Sequence, residues 1–534
     1  MKGYVIIMKM LEKTMNAYLE EQFEKYAENR AIVYPEGNVS YTYKEMSDRI
    51  NLLAKGLIAN GVKKETHVSL LAPSCPDWIM YYLALTKIGA IPVCLNDKNT
   101  QSELEYLLDH SDSYAAIVST TSVQSLDTSV LFASLEKVIY METIETVNEK
   151  VFDTNRLEEQ AVSVSDETLK AYQAETRYDD ILMFLYTSGT TGRPKAVMSV
   201  HNRMLTNILV YLENFGYTSE DRVLSALPLY HVMGCLFTTM LTFMAGGTSV
   251  LISKFKTKDA LQIIQDEQCT SFHGVPTMYQ YMLNYAKDYD VTSLKKGMIG
   301  GAYCAPETMM EIQKGLGVKY LFPAYGQSEG VGFTQVRMTD SNKKRISTVG
   351  KAVDGVELKI IDNEGNKLPV GEVGEVVAYM PYRMAGYYKN PEATAETIQD
   401  GWIYTGDLGM LDKQGYLTIK GRKKELIIRG GENISPVDIE DVIRTYAMVE
   451  DVAVVGVPDK TMGEEICAYI QMKPFTNYIE EEVREFIAQN LPKFKFPKYI
   501  KFIDQMPLNA SGKILKRELQ AMFNEEQGQI SVAR

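Results

Sequence analysis

The run from Tyr186 to Lys195, YTSGTTGRPK, gathers five hydroxyl side chains, two glycines and two cations within ten residues. Gly189 and Gly192 let backbone N–H groups turn toward one point, while Thr187, Ser188, Thr190 and Thr191 add hydroxyl donors and Lys195 adds a positive charge. Such a concavity suits the β- and γ-phosphates of ATP. It is not a Walker loop, because GxxxxGK[ST] is absent. The apolar runs ILMFL before it and AVMSV after it read as strands, so the loop joins two of them.

Four later segments carry further chemistry: YGQSEG from Tyr325 to Gly330, YTGD from Tyr404 to Asp407, GRKKE from Gly421 to Glu425, and PLNASGK from Pro507 to Lys513. In this order, and together with the hydroxyl-rich loop, they resemble the acyl-adenylate-forming superfamily, which includes acyl-CoA synthetases, peptide-synthetase adenylation domains and beetle luciferases. The resemblance runs from about residue 15 to about residue 520. It implies that ATP, Mg²⁺ and coenzyme A are used. It places Tyr325 beside the adenine, with Gly326, Gly301 and Ala302 bordering the nucleotide. Ser328 stands where Thr is commoner and keeps a hydroxyl for the α-phosphate. Glu329 would hold Mg²⁺ together with Thr191, and a hard carboxylate oxygen suits that ion. Asp407 would accept both ribose hydroxyls, as a carboxylate can, and Arg422 would reach the same ribose. Lys513 would lie between the substrate carboxylate and the α-phosphate. Two like charges about 4 Å apart repel by about 4 kcal/mol at an effective dielectric near 20, so a shielding cation is needed there.

The same resemblance implies two half-reactions. The acid first attacks the α-phosphorus and pyrophosphate leaves; a thiol then takes the acyl group and AMP departs. Lys424 matches the hinge about which the small domain turns, and Gly430 and Gly431 would let a pantetheine arm pass close to backbone; alone, the two glycines read as a hairpin turn. The segment ALPLYHVMGC lacks the Asp that pairs with an amino group in peptide-synthetase domains. His231 instead resembles the gate of fatty-acid and aryl-CoA ligases. Met233, Cys235, Gly300, Gly301, Ala302, Val331 and Gly332 would line an apolar acyl slot. Loading of a carrier protein is a second reading, and a nucleotide-binding regulator that has lost catalysis a third; Lys513, Glu329 and Asp407 are all present against the latter.

These residues need a scaffold. The first part of the chain alternates β-branched runs with helical patterns, as in HVSLLAPS, PDWIMYYLALTKIG and AIPVCLN, which predicts βαβ units and a mostly parallel sheet. From Thr348 to about Lys420 short alternating strands with turn signals predict an antiparallel barrel or sheet closing the large domain. After GRKKE, Ser435-Pro436 offers an N-cap with proline at the first helical position. VEDVAVVGV, ICAYIQM and KYIKFI read as strands around a helix in EEEVREFIAQNL. The expected architecture is an α/β N-terminal domain, with parallel-sheet subdomains and an antiparallel β subdomain, over residues 1–420. A hinge at 421–425 and a small α+β C-terminal domain at 426–534 complete it.

With 534 residues, 45% of them hydrophobic, the chain is long enough for at least two cores. A net charge of -13 argues against a nucleic-acid partner, since phosphate backbones are gripped by clustered cations. The six cysteines show no metal-ligand spacing and no disulfide framework, which fits a reducing cytoplasm. The opening MKGYVIIMKMLEKTM has no cleavage site, and Met8 or Met10 is as good a start as Met1. Val232 to Ala245, too short for a membrane span, reads as a buried core helix. Homo-oligomerisation is left open.

Overall fold

The computed structural model describes residues 10–145, 147–187, 193–473, 476, 478–509 and 512–526. Four sheets organise it. The first has seven strands in the order Val151–Asp153, Lys137–Tyr140, Ala115–Val118, His67–Leu71, Ile91–Cys94, Ile181–Thr187, Lys195–Val200. All its neighbours are parallel except the last pair. The strands before that pair are buried on both faces, so they carry continuous apolar runs such as AAIV and IPVC.

The second sheet has nine strands. Its parallel centre runs from Tyr320–Gln327 through Lys296–Ile299, Ser271–Gly274, Arg222–Ser225 and Thr248–Leu251 to Arg30–Tyr34. Antiparallel strands close both edges: Val39–Thr42 on one side, Val331–Gln335 and Lys351–Ala352 on the other. The first two sheets share one apolar core, crossed by the helix Pro76–Lys87, whose Trp78, Tyr81 and Tyr82 are fully buried. The third sheet, Glu357–Ile361, Gly374–Tyr379, Trp402–Leu411, Ile398–Gln399 and Leu417–Arg422, is antiparallel throughout. The fold class read from the sequence is the one observed.

The stretch read as an ordinary core helix is buried, but its first part, Met233–Met240, is a π-helix that becomes α-helical only at Leu241–Ala245. Thr238 and Thr239 donate their hydroxyls to the carbonyls five residues back, at 2.9 and 3.0 Å, which favours the wider turn. Gly234 is required there, since a Cβ would sit 2.2 Å from the Pro228 carbonyl oxygen.

The fourth sheet belongs to the C-terminal part: Glu432–Ile434, Ile427–Arg429, Gly463–Met472 and Val449–Asp459, with Tyr499–Phe502 added in parallel on Gly463–Met472. Helices Pro436–Arg444 and Glu480–Asn490 cover one face and Lys516–Glu526 the other, giving cores separate from the large one. Ser435 precedes Pro436 as expected, but its hydroxyl donates to the Lys420 carbonyl at 2.8 Å instead of capping the helix.

Candidate active site

A cavity of about 580 Å³ lies where the C-terminal part meets the large one. Gly301, Ala302, Tyr325, Gly326, Asp407 and Arg422 line it from one side, and Lys513 from the other.

Asp407 sits in the long strand Trp402–Leu411 and is 5% exposed. Its Oδ2 accepts from the Tyr325 hydroxyl at 2.9 Å and from Gln327 Nε2 at 2.8 Å, and Arg422 Nε lies 3.2 Å from Oδ1. Strand register puts Arg422 directly opposite Asp407. Burial raises the Asp407 carboxyl above its ordinary range, and the Arg422 guanidinium opposes that rise. Burial and then the adjacent Asp407 push the Tyr325 phenol well above its ordinary value, so it stays a donor. Gln327, which sequence reading passed over, also donates to the Thr405 carbonyl at 2.7 Å and so joins the two motifs.

Lys513 enters on a tight loop held by two local bonds: Asn509 N–H donates to the Lys513 carbonyl, and Lys513 N–H to Asn509 Oδ1, both at 2.8 Å. Thr277 of the large domain donates its hydroxyl to the Gly512 carbonyl at 2.9 Å, and Gly512 takes a φ of +80° that favours glycine. Burial, followed by the Arg422 charge, lowers the Lys513 amine below its ordinary value. His231 is lowered by burial and next by Lys513, which places the two in one electrostatic environment. His231 is exposed and does not line the cavity, and its Nδ1 accepts from Met233 N–H at 3.5 Å. Met233 packs toward Gly300, where a Cβ would lie 3.4 Å from its methyl.

Glu329 occupies the turn between Tyr320–Gln327 and Val331–Gln335. Its Oε1 accepts from the Tyr387 hydroxyl at 2.7 Å, and its carbonyl accepts from Met384 N–H at 2.7 Å. Lys195 Nζ stands 5.1 Å from the centre of the same Tyr387 ring, and register sets Lys195 opposite Thr187. Val331, at φ +62°, holds a left-handed conformation that a β-branched residue adopts at a cost. Ser188, Gly189, Thr190, Thr191 and Gly192 lie outside the described residues. Gly430 and Gly431, at φ +57° and +91°, form the two-residue hairpin between Ile427–Arg429 and Glu432–Ile434 and do not line the cavity. Lys424 does line it, within the single 3₁₀ turn Lys423–Glu425, while Lys423 pairs with Glu375 at 2.9 Å.

A small domain thus brings a lysine into the cavity that a buried, arginine-paired aspartate lines, and both the large and the small part of the chain have counterparts among known proteins. The AMP-binding enzyme pattern matches residues 19–388, and the AMP-binding enzyme C-terminal domain pattern matches residues 438–513. The chain belongs to the AMP-binding enzyme family. Within that family it is 33% identical to the putative acyl-CoA synthetase YngI of Bacillus subtilis (strain 168), over 97% of this chain and 99% of that protein. It is 30% identical to the medium-chain acyl-CoA ligase ACSF2, mitochondrial, of Bos taurus, over 97% of this chain and 89% of the relative. The crystal structure of the anthranilate CoA ligase AuaEII in complex with anthranoyl-AMP superposes with a TM-score of 0.89. It covers 97% of this chain and 98% of the other at 24% identity, a likeness of fold. Among the described residues no helix is long and apolar enough to cross a membrane.

Proposed function

We propose that this AMP-binding enzyme activates a carboxylic acid with ATP and passes the acyl group to coenzyme A, as an AMP-forming acid–thiol ligase. The observation that carries the reading is Lys513, brought by the small domain into a cavity it shares with Asp407 and Arg422.

In the first half-reaction a carboxylate oxygen attacks the α-phosphorus, the bond to the β-phosphate bridge breaks, and pyrophosphate leaves with the electron pair. No protein nucleophile is needed, so catalysis is positioning and charge stabilisation. Lys513 shields the approaching carboxylate from the phosphate, and Lys195 steadies the outer phosphates. Asp407 and Arg422 hold the ribose. A carboxylate has about four acceptor sites. Three donors already face Asp407, so a vicinal diol displaces either Tyr325 or Gln327 as it docks. Glu329 fits a Mg²⁺ ligand: it offers a hard oxygen, and its Oε2 has no protein partner among the described residues. Bound there, the ion would supply positive charge to the phosphates. In the second half-reaction the thiol sulfur attacks the acyl carbon, loses its proton, and AMP departs. Residues 421–425 act as the hinge that carries the Gly430–Gly431 hairpin to the cavity.

The acid has an apolar body. Met233, Gly300 and Val331 carry no charge to meet a second carboxylate or an amino group, and the ACSF2 relative is named for medium-chain acids. The test is pyrophosphate release across straight-chain, branched and aromatic acids, with coenzyme A, with a carrier protein, and with neither. Medium-chain acids with coenzyme A should turn over fastest. Absence of a labelled AMP ester from every acid offered would overturn the proposal.

A further inference from the structure

The segment Met384–Tyr388 runs beside the strand that leaves the hydroxyl-rich loop. Met198 N–H donates to the Gly386 carbonyl at 3.0 Å, Ala385 N–H to the Met198 carbonyl at 2.9 Å, and Tyr388 N–H to the Ala196 carbonyl at 2.9 Å. The segment also grips Glu329 twice, through Met384 N–H and through the Tyr387 hydroxyl. Tyr387 itself is 7% exposed, and its own N–H is held by Thr394 Oγ1 at 2.9 Å, so the ring has little freedom.

On the proposed reading Lys195 and Glu329 both serve the nucleotide, and an ion pair between them would cancel the charge each brings. Among the described residues they do not pair. Each meets Tyr387 instead, the ammonium 5.1 Å from the ring centre and the carboxylate at the hydroxyl tip. A hydrogen bond to an ionised oxygen is short and directional, and it removes the rotation a carboxylate on a turn would otherwise keep.

We propose that Tyr387 is a positioning residue for the metal: its hydroxyl fixes one oxygen of Glu329 and turns the other toward the magnesium that accompanies ATP. The inference rests on the reading of Glu329 as a magnesium ligand. Groups that orient a metal ligand typically contribute 10–100-fold to metal affinity.

Tyr387→Phe keeps the ring, its packing and the neighbouring ammonium, and removes one oxygen. Calorimetric binding of ATP is measured for the full chain over a magnesium series and in EDTA, alongside thermal unfolding without ligand. The expected result is an increase of about tenfold in the magnesium concentration needed for half-saturation, with ATP affinity in EDTA and the unfolding midpoint unchanged. In a Glu329→Gln background the added Tyr387→Phe should have no further effect. Equal weakening of ATP binding with and without magnesium would assign Tyr387 to loop packing and overturn the inference. An unchanged magnesium dependence in Tyr387→Phe, with Glu329→Gln impaired, overturns it while leaving the assignment of Glu329 standing. An unchanged dependence in Glu329→Gln overturns both.

Discussion

Lys513 reaches the cavity with its ammonium already partly stripped of water, and the nearby Arg422 disfavours its charge further. In the proposed role, an incoming carboxylate would therefore meet a cation whose attraction water damps less than in bulk. Lys513→Ala should slow adenylation by about a hundredfold or more and leave thioester formation from supplied acyl-adenylate nearly intact; equal loss of both would contradict the role. Gly326 makes a second residue-level case. A Cβ there would lie 1.7 Å from the Val331 carbonyl oxygen, against a turn already strained by Val331. Gly326→Ala should lower the thermal midpoint and destabilise by about 1–3 kcal/mol, and ATP binding should weaken as Gln327 is pushed away from Asp407; an unchanged midpoint would mean that the turn adapts. Contiguous motifs made Lys513, Asp407, Arg422 and Tyr325 legible in the sequence, because each carries its own local signature. Tyr387, Gln327 and Thr277 were not legible. Their partners come from segments 58, 80 and 235 residues away, and no local pattern announces such meetings.

At the scale of elements, apolar periodicity located the strands and helices, and turn residues placed the breaks. It missed the π-helix at Met233–Met240, because a wide turn and a regular one bury the same kinds of side chain. What selects the wide turn is hydroxyl bonding, and that extends to a buried histidine. His273 Nδ1 lies 3.3 Å from Thr238 Oγ1, and its Nε2 lies 2.6 Å from the Tyr217 hydroxyl. Burial pushes His273 down to about 3, and it pushes His201, which accepts from Met15 N–H at 3.3 Å, down to about 4. Unfolded imidazoles take up protons below about pH 6.5, whereas these two stay neutral in the fold. Their contribution to stability is therefore full above that pH and is lost as the pH falls toward 4. The urea midpoint should drop between about pH 7.5 and about pH 5, and His273→Gln should flatten the dependence. A variant with the same slope as the parent would exclude His273 as a source.

On the molecular scale, the small domain is fastened to the large one in the orientation that delivers Lys513. Tyr303 donates its hydroxyl to Asp441 Oδ2 at 2.9 Å, and Gln280 and Asn284 donate to Glu450 at 3.2 Å each. All three bonds must break if the Gly430–Gly431 hairpin is to approach. Lys424→Pro, by fixing φ near -65° within the turn Lys423–Glu425, should hold the present orientation. Adenylation should then persist while thioester formation from supplied acyl-adenylate falls by about tenfold or more; equal loss of both half-reactions would remove Lys424 from the hinge role.

The second sheet has a consequence for how the chain is made. Arg30–Tyr34 finds its parallel neighbour only in Thr248–Leu251, more than two hundred residues later. A ribosome that has released the hairpin of Arg30–Tyr34 with Val39–Thr42 must go on elongating before the hairpin's other edge has anything to join, at about 5–20 residues per second in the general case. Meanwhile its apolar AIVY stretch has only the short neighbouring strand Val39–Thr42 to pair with, whereas the strands between His67 and Val200 can already assemble with one another. Synthesis thus runs ahead of closure at the amino end, and holdase chaperones are best placed to act on that segment.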